Sequence, residues 1–272
     1  MSLVQNMIYQ DARRQLRTGT LLSFISMVFI LGMVTVNPSS FIISVVYAAI
    51  FAITGAALLK GGYADLQKSK TVLDFESDRT QDLLTRVPAR MYMGQKALKS
   101  FQAGLFDMEG ESYGEIQEKI QWKHKILTMF TAMFSYDQLR PAVYTFKNQR
   151  GQSLYQIEKK GGFQWRGYIQ RKDGGYVAYT KQTKNKGTGQ RITRYIEMDQ
   201  CRWSAEGDDF IGHYKIKDHE GRVWAVIKRG AIPREAAERF EKMPGYLVEW
   251  NIRDNIPASL LAFLFLLQSK ER

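Results

Sequence analysis

The chain has a single cysteine in 272 residues, Cys201. One thiol excludes an intrachain disulfide and fits a reducing compartment. Metal-ligand spacing is missing too: His124, His213 and His219 stand at no ligand interval from one another or from Cys201. No GxxxxGK[ST] run occurs, and "NKGTGQ" at 185–190 reads as a hairpin tip. Asp208 and Asp209 follow Gly207 and read as a turn, not as a general acid/base pair. Together these absences point away from catalysis, from a metal and from a cofactor.

Charge is absent from two long stretches. Residues 18–36 and 41–59 carry no ionisable side chain and are separated by "NPSS". At about 1.5 Å per residue each matches the roughly 30 Å hydrocarbon core of a bilayer. A signal peptide would have a shorter apolar region, and here a second span follows at once. The expectation is an antiparallel transmembrane hairpin over 1–60. Ser44, Ala48, Ala52 and Ala56 recur every four residues and predict the contact face between its helices. Without an ionisable group in either span, nothing suggests an ion pathway. Arg13, Arg14 and Arg17 precede the first span and Lys60, Lys68 and Lys70 follow the second. The positive-inside rule then places both chain ends on the cytoplasmic side of the cell membrane.

A third apolar run, 256–267, is too short to cross a bilayer, at about 18 Å, and too apolar all round for a surface helix. It needs a container of protein. Four stretches supply one: "LFDMEGESYGEI" from 105, "YTFKNQRGQSLYQI" from 144, "YIQRKDGGYVAYTK" from 168 and "YKIKDHEGRVWAVIK" from 214. Each is an alternating strand, a polar turn with glycine and a second strand, which is the pattern of an antiparallel hairpin. Repeated hairpins predict a sandwich or barrel, and a closed barrel offers a lumen for the last helix. The predicted fold is α+β: a closed antiparallel β-barrel over 89–272 around a hydrophobic C-terminal helix. A linker helix over 61–88 joins it to the hairpin. Residues 119–139 carry apolar side chains at helical spacing, which suits core packing or a helix in the membrane interface.

Residues 195–229, "YIEMDQCRWSAEGDDFIGHYKIKDHEGRVWAVIKR", with "NIPASLLAFLFLL" near the end and "RMYMGQKALKSF" from Arg90, resemble the tubby C-terminal-like superfamily. Phospholipid scramblases and plant LURP-one-related proteins share that superfamily. The resemblance covers about 90–272 and implies a barrel around a central helix that works close to lipid. Tubby domains bind phosphoinositides through basic groups on the barrel, a property that does not carry over residue by residue. An acidic Ca²⁺ loop and a palmitoylation-type cysteine cluster are missing, so scrambling activity does not carry over.

Charge of one sign is concentrated centrally. Between Leu139 and Gln200 stand thirteen Lys/Arg and four Asp/Glu, so nine of the formal twelve positive charges fall there. An ordinary surface intersperses both signs. Arg166, Arg171, Lys172, Lys181, Lys184, Lys186, Arg191 and Arg194 are the candidate binding residues, and anionic phospholipid headgroups are the partner that suits them. The alternatives are a membrane-tethered scaffold for a protein partner and, less economically, a nucleic-acid module that stacks bases on Trp165, Tyr168, Tyr176 and Tyr179.

Overall fold

The computed structural model describes residues 3–35, 41–70, 83–97, 102–119, 142–160, 166–172, 174–184, 187, 189–208 and 211–270. Two compact units result, one around the N-terminal helices and one around the strands.

In the first unit, α1 (Leu3–Thr35) and α2 (Phe41–Lys68) lie against each other. Both are long and apolar enough to cross a membrane. Their shared face is built from small residues seven apart: Ala12, Gly19 and Ser26 on α1, and Gly62, Gly55 and Ala48 on α2. A Cβ at Gly62 would lie 3.0 Å from the Ala12 carbonyl, and one at Gly55 2.6 Å from Ser23 Oγ, so only glycine permits this approach. The Ser26 hydroxyl donates to the Ala48 carbonyl at 2.8 Å. The contact face is therefore not the expected stripe: Ala48 is buried, but Ala52 and Ala56 are exposed. A four-residue step drifts about 40° round a helix, whereas seven residues return to within about 20°. The opposite surfaces expose Phe24, Leu31, Ile42 and Ile43, the reverse of a water-soluble helix pair.

Within 61–88, no separate linker helix forms over the described residues. The Gly61–Gly62 pair does not end α2, because Gly62 is needed where that helix meets Ala12, and the helix continues to Lys68. Leu83–Arg86 is a strand, β1. Residues 71–82 lie outside the described residues, as does the expected helical stretch from 120 onward.

Twelve strands close the barrel: β2 (Arg90–Ala97), β3 (Gln102–Phe106), β4 (Ser112–Glu118), β5 (Ala142–Asn148), β6 (Ser153–Lys160), β7 (Arg166–Arg171), β8 (Tyr176–Lys184), β9 (Arg191–Glu197), β10 (Gln200–Asp208), β11 (His213–Asp218), β12 (Val223–Arg229) and β13 (Gly245–Trp250). Each pairs antiparallel with the next, and β13 pairs back onto β2, so no barrel strand is left as an edge. The four hairpins read from the sequence share one turn. In each, the first residue's N–H donates to the carbonyl four residues on, and a glycine N–H donates back: Asp107 with Glu111 and Gly110, Asn148 with Gln152 and Gly151, Arg171 with Gly175 and Gly174, Asp218 with Arg222 and Gly221. Those four glycines have φ between 74° and 95°, the left-handed region that excludes most side chains. All four turns, with the two-residue turn Met198–Asp199, mark one end of the barrel. The connections β8–β9, β10–β11 and β12–β13 mark the other.

The lumen is full. A short strand, β14 (Asp254–Pro257), pairs with β1 and leads into α3 (Ala258–Lys270), the apolar helix. Every residue from Ile256 to Ser269 is buried. Phe263 meets Tyr195 with ring centroids 5.5 Å apart, and Phe265 meets Phe146 at 5.6 Å. Gly167 makes room for the helix: a Cβ there would lie 2.6 Å from a Leu266 methyl. Outside the barrel, Phe240, from a one-turn helix before β13, stacks on Tyr92 at 4.6 Å. The container demanded by the sequence exists, and it holds the helix on all sides.

Candidate functional site

Alternation along β8 and β9 decides where the candidate cations stand. Tyr195 faces inward to Phe263, and Thr180 pairs with it, so Lys181 and its partner Arg194 face outward. Three residues further, and so on the opposite parity, Lys184 pairs with Arg191 where the strands reach the rim. All four are exposed. Lys181 and Arg194 are thus like charges directly opposite on neighbouring strands, an arrangement that destabilises a sheet by a few tenths to about 1 kcal/mol.

Several cations elsewhere on the barrel do have carboxylates. Lys217 pairs with Glu206 at 2.5 Å, Arg202 with Glu197 at 2.5 Å, Lys228 with Glu249 at 2.6 Å and Arg222 with Asp218 at 2.8 Å. Lys96 pairs with Glu115 and Lys160 with Glu158. Lys181, Lys184 and Arg194 have no carboxylate partner among the described residues. Lys215 shares that condition; it is exposed on β11, opposite Glu206 on the intervening strand. Two strand spacings, about 10 Å, separate it from β9. The sequence reading missed it, because only strand order brings residue 215 close to residue 194.

The remaining candidates do not join this group. Arg166 is on the outward parity of β7 with Tyr168 and Gln170, yet it is 7% exposed, and those two are buried as well. Alternation assigns a face; it does not say whether the face is covered. Arg171 and Lys172 belong to the turn between β7 and β8, at the opposite end of the barrel from Lys184. Nine residues of β8 separate the two ends, roughly 27 Å. Lys186 lies outside the described residues. The dense basic segment is therefore not one surface.

The aromatic set fares likewise. Tyr168, Tyr176 and Tyr179 are buried, and Trp165 lies outside the described residues. Tyr176 Oη lies 3.5 Å from a Glu158 carboxylate oxygen, and Lys160 Nζ sits 5.6 Å from the centre of the Tyr168 ring. Burial raises the Tyr179 phenol above its usual pKa, with Asp199 adding and Arg166 opposing. The three tyrosines are covered and cannot stack on bases.

Two titratable groups close the survey. Burial pushes the Cys201 thiol up, against the pull of Arg194, so it is no activated nucleophile. The Asp218 carboxylate is pulled to about 2: burial alone would raise it, but it accepts from the Trp224 indole and from the Arg222 guanidinium and backbone N–H. It is a turn builder whose acceptors are already occupied. Among the described residues no group of three His, Cys, Asp or Glu could hold a metal ion. What the arrangement offers chemically is attraction for anions.

No protein-family model and no curated protein matches the chain. Among solved structures it is similar to an X-ray structure of a protein from Arabidopsis thaliana, at 10% identity and a TM-score of 0.44, over 69% of this chain and 95% of that one.

Proposed function

We propose that this is a membrane-anchored, non-enzymatic barrel that binds anionic phospholipid headgroups at the cytoplasmic face of the cell membrane. The observation that carries the reading is the exposed pair Lys181 and Arg194, like charges directly opposite on the outer wall of the barrel with no carboxylate partner among the described residues, with Lys184 exposed at the rim beyond them. A phosphate placed between Lys181 and Arg194 turns that repulsion into two attractive contacts. Each cation near an anionic leaflet contributes about 1 kcal/mol. An anchor of two spans supplies a high effective concentration, so weak intrinsic affinity suffices. The basic flanks of the spans favour the cytoplasmic side, and the tubby-like pattern of 195–229 agrees with work close to lipid.

The test uses the full chain held in neutral phosphatidylcholine nanodiscs and asks whether it captures vesicles containing phosphatidylserine. Capture should weaken with salt. It should be lost on Lys181→Glu, Lys184→Glu and Arg194→Glu together, and survive Lys96→Glu, whose side chain already has Glu115. Equal capture of neutral and anionic vesicles would refute lipid binding and favour a scaffold for a protein partner.

A further inference from the structure

Strand pairing sets a row of side chains on the outer wall that no single stretch of sequence contains. Trp203 and Ala205 face the core, so Ser204 between them faces outward. It stands directly opposite Arg194 of β9 and, on its other side, Lys217 of β11. Arg194 in turn stands opposite Lys181 of β8. The wall therefore reads Lys181, Arg194, Ser204, Lys217 across four neighbouring strands. Lys181 and Arg194 are exposed, and Ser204 is half-buried.

The carboxylates of this wall are engaged beside the row. Glu206, two residues on from Ser204, is held by Lys217 at 2.5 Å, and Glu197 by Arg202 at 2.5 Å. Along β9 the outward neighbours of Arg194 are Ile192 and Ile196, both half-buried, which offer no side-chain acceptor. The closed sheet fixes the spacing. Adjacent strands lie about 4.8 Å apart, so the backbones that carry Lys181 and Ser204 are about 10 Å apart, with Arg194 midway.

Three donors side by side suit one kind of anion better than another. A phosphodiester presents two terminal oxygens and a single negative charge. A phosphomonoester presents three terminal oxygens and a charge of about −1.5 to −2 near neutral pH. The guanidinium can fork to two of those oxygens, which leaves the third for the ammonium and the hydroxyl. Two adjacent cations are also neutralised by a dianion and only half neutralised by a monoanion.

We infer that Lys181, Arg194 and Ser204 form a site for a phosphomonoester, carried by a lipid such as phosphatidic acid or by a soluble molecule. This rests on the headgroup reading above and deepens it, by naming the class of phosphate and adding an uncharged donor, Ser204, to the contact.

The experiment keeps the two apart. The full chain in phosphatidylcholine nanodiscs is offered two vesicle types of equal zeta potential, one with phosphatidic acid and one with phosphatidylglycerol, a phosphodiester. Phosphatidic acid vesicles should be captured about tenfold better. Ser204→Ala and Arg194→Lys both keep the charge, and each should reduce that preference while capture of phosphatidylglycerol vesicles is unchanged. Glycerol 3-phosphate is the soluble probe. If it raises the melting midpoint of the wild type but not of Ser204→Ala, and neither vesicle is preferred, the phosphomonoester is a soluble one. Equal capture of both vesicles with no such rise overturns the site and leaves headgroup binding standing. Variants that lose both vesicle types alike overturn it too. Capture of neither vesicle, again with no rise, overturns both readings.

Discussion

Inside the barrel, Lys159 Nζ lies 3.4 Å from the backbone carbonyl of Ser269, at the C-terminal end of the core helix. Both residues are buried. The last carbonyls of a helix have no intrahelical donors and carry its negative pole. In water they would be solvated; in a closed lumen a lysine on β6 takes that part. At the same end the Gln268 amide donates to the Met93 carbonyl at 3.3 Å. A helix apolar over its whole circumference is thus tied to the wall at its polar terminus.

Replacing Lys159 should therefore act through the helix. Lys159→Met keeps the length of the side chain and removes its charge; a loss of about 1–2 kcal/mol is expected in denaturant melts. Lys159→Glu sets a carboxylate against the carbonyls and should cost more than about 3 kcal/mol. Equal stability of the wild type and Lys159→Glu would show that Lys159 does not secure the helix end.

The apolar side of the same argument is sharper. Phe263 and Leu264 are buried in the lumen. Phe263→Ala should cost about 3–5 kcal/mol. Leu264→Asp places an unpaired charge there and should abolish cooperative melting in a marginally stable domain. A chain lacking 256–272 that still melts cooperatively would refute the container.

How far the sequence led can be traced through these elements. The core helix was legible because a run without polar residues admits few environments. The hairpins were legible because alternation and a polar turn with glycine are local signals. Contacts between helices were less so: Ser44, Ala48, Ala52 and Ala56 form a tidy stripe, but the face that packs is the one carrying Gly55 and Gly62. The binding face was half legible. Arg166 and Lys181 look alike in sequence; one is covered and the other open. Lys172 and Lys184 are twelve residues apart and at opposite ends of a strand, while Lys215 is remote in sequence and near in space.

The helix pair makes its own prediction. With Cys201→Ser, a Ser26→Cys, Ala48→Cys chain should crosslink readily in mild oxidant, since Ser26 Oγ already lies 2.8 Å from the Ala48 carbonyl. Adding Gly55→Leu should slow that crosslinking, because even a Cβ at Gly55 would press on Ser23 and on the Gly19 carbonyl. An unchanged rate would mean that the glycines do not set the helix spacing.

Asp218 gives a pH dependence. Its carboxyl titrates at about 2 when folded, against an unperturbed 3.8. A depressed folded value contributes stability above the unfolded pKa and loses it as pH falls through the folded one. The window is thus pH 4 down to about 2. Because Arg222 stands in solvent, screening reduces the full linkage value to roughly 1 kcal/mol. Asp218→Asn should remove about that much at neutral pH and nothing near pH 2, measured as melting midpoints across the window. A deficit of the same size at both ends would assign the effect to turn geometry, not to charge.

The Lys181–Arg194 pair separates function from stability. A surface shaped only by folding would replace one of these cations with an acid, because an opposite-charge cross-strand pair contributes about 0.2–1 kcal/mol and a like-charge pair costs a similar amount. Lys181→Glu should therefore leave the melting temperature of the barrel unchanged or slightly raised, while capture of phosphatidylserine vesicles falls. Arg194→Glu should do the same from the other strand. In the double variant, Lys181→Glu with Arg194→Glu, the repulsion returns with reversed sign, so stability should drop back while capture falls further. The readouts are a melt and a capture assay on the same preparations at low salt. If Lys181→Glu lowers both together, the loss of capture comes from a damaged barrel, and the pair is not the binding surface.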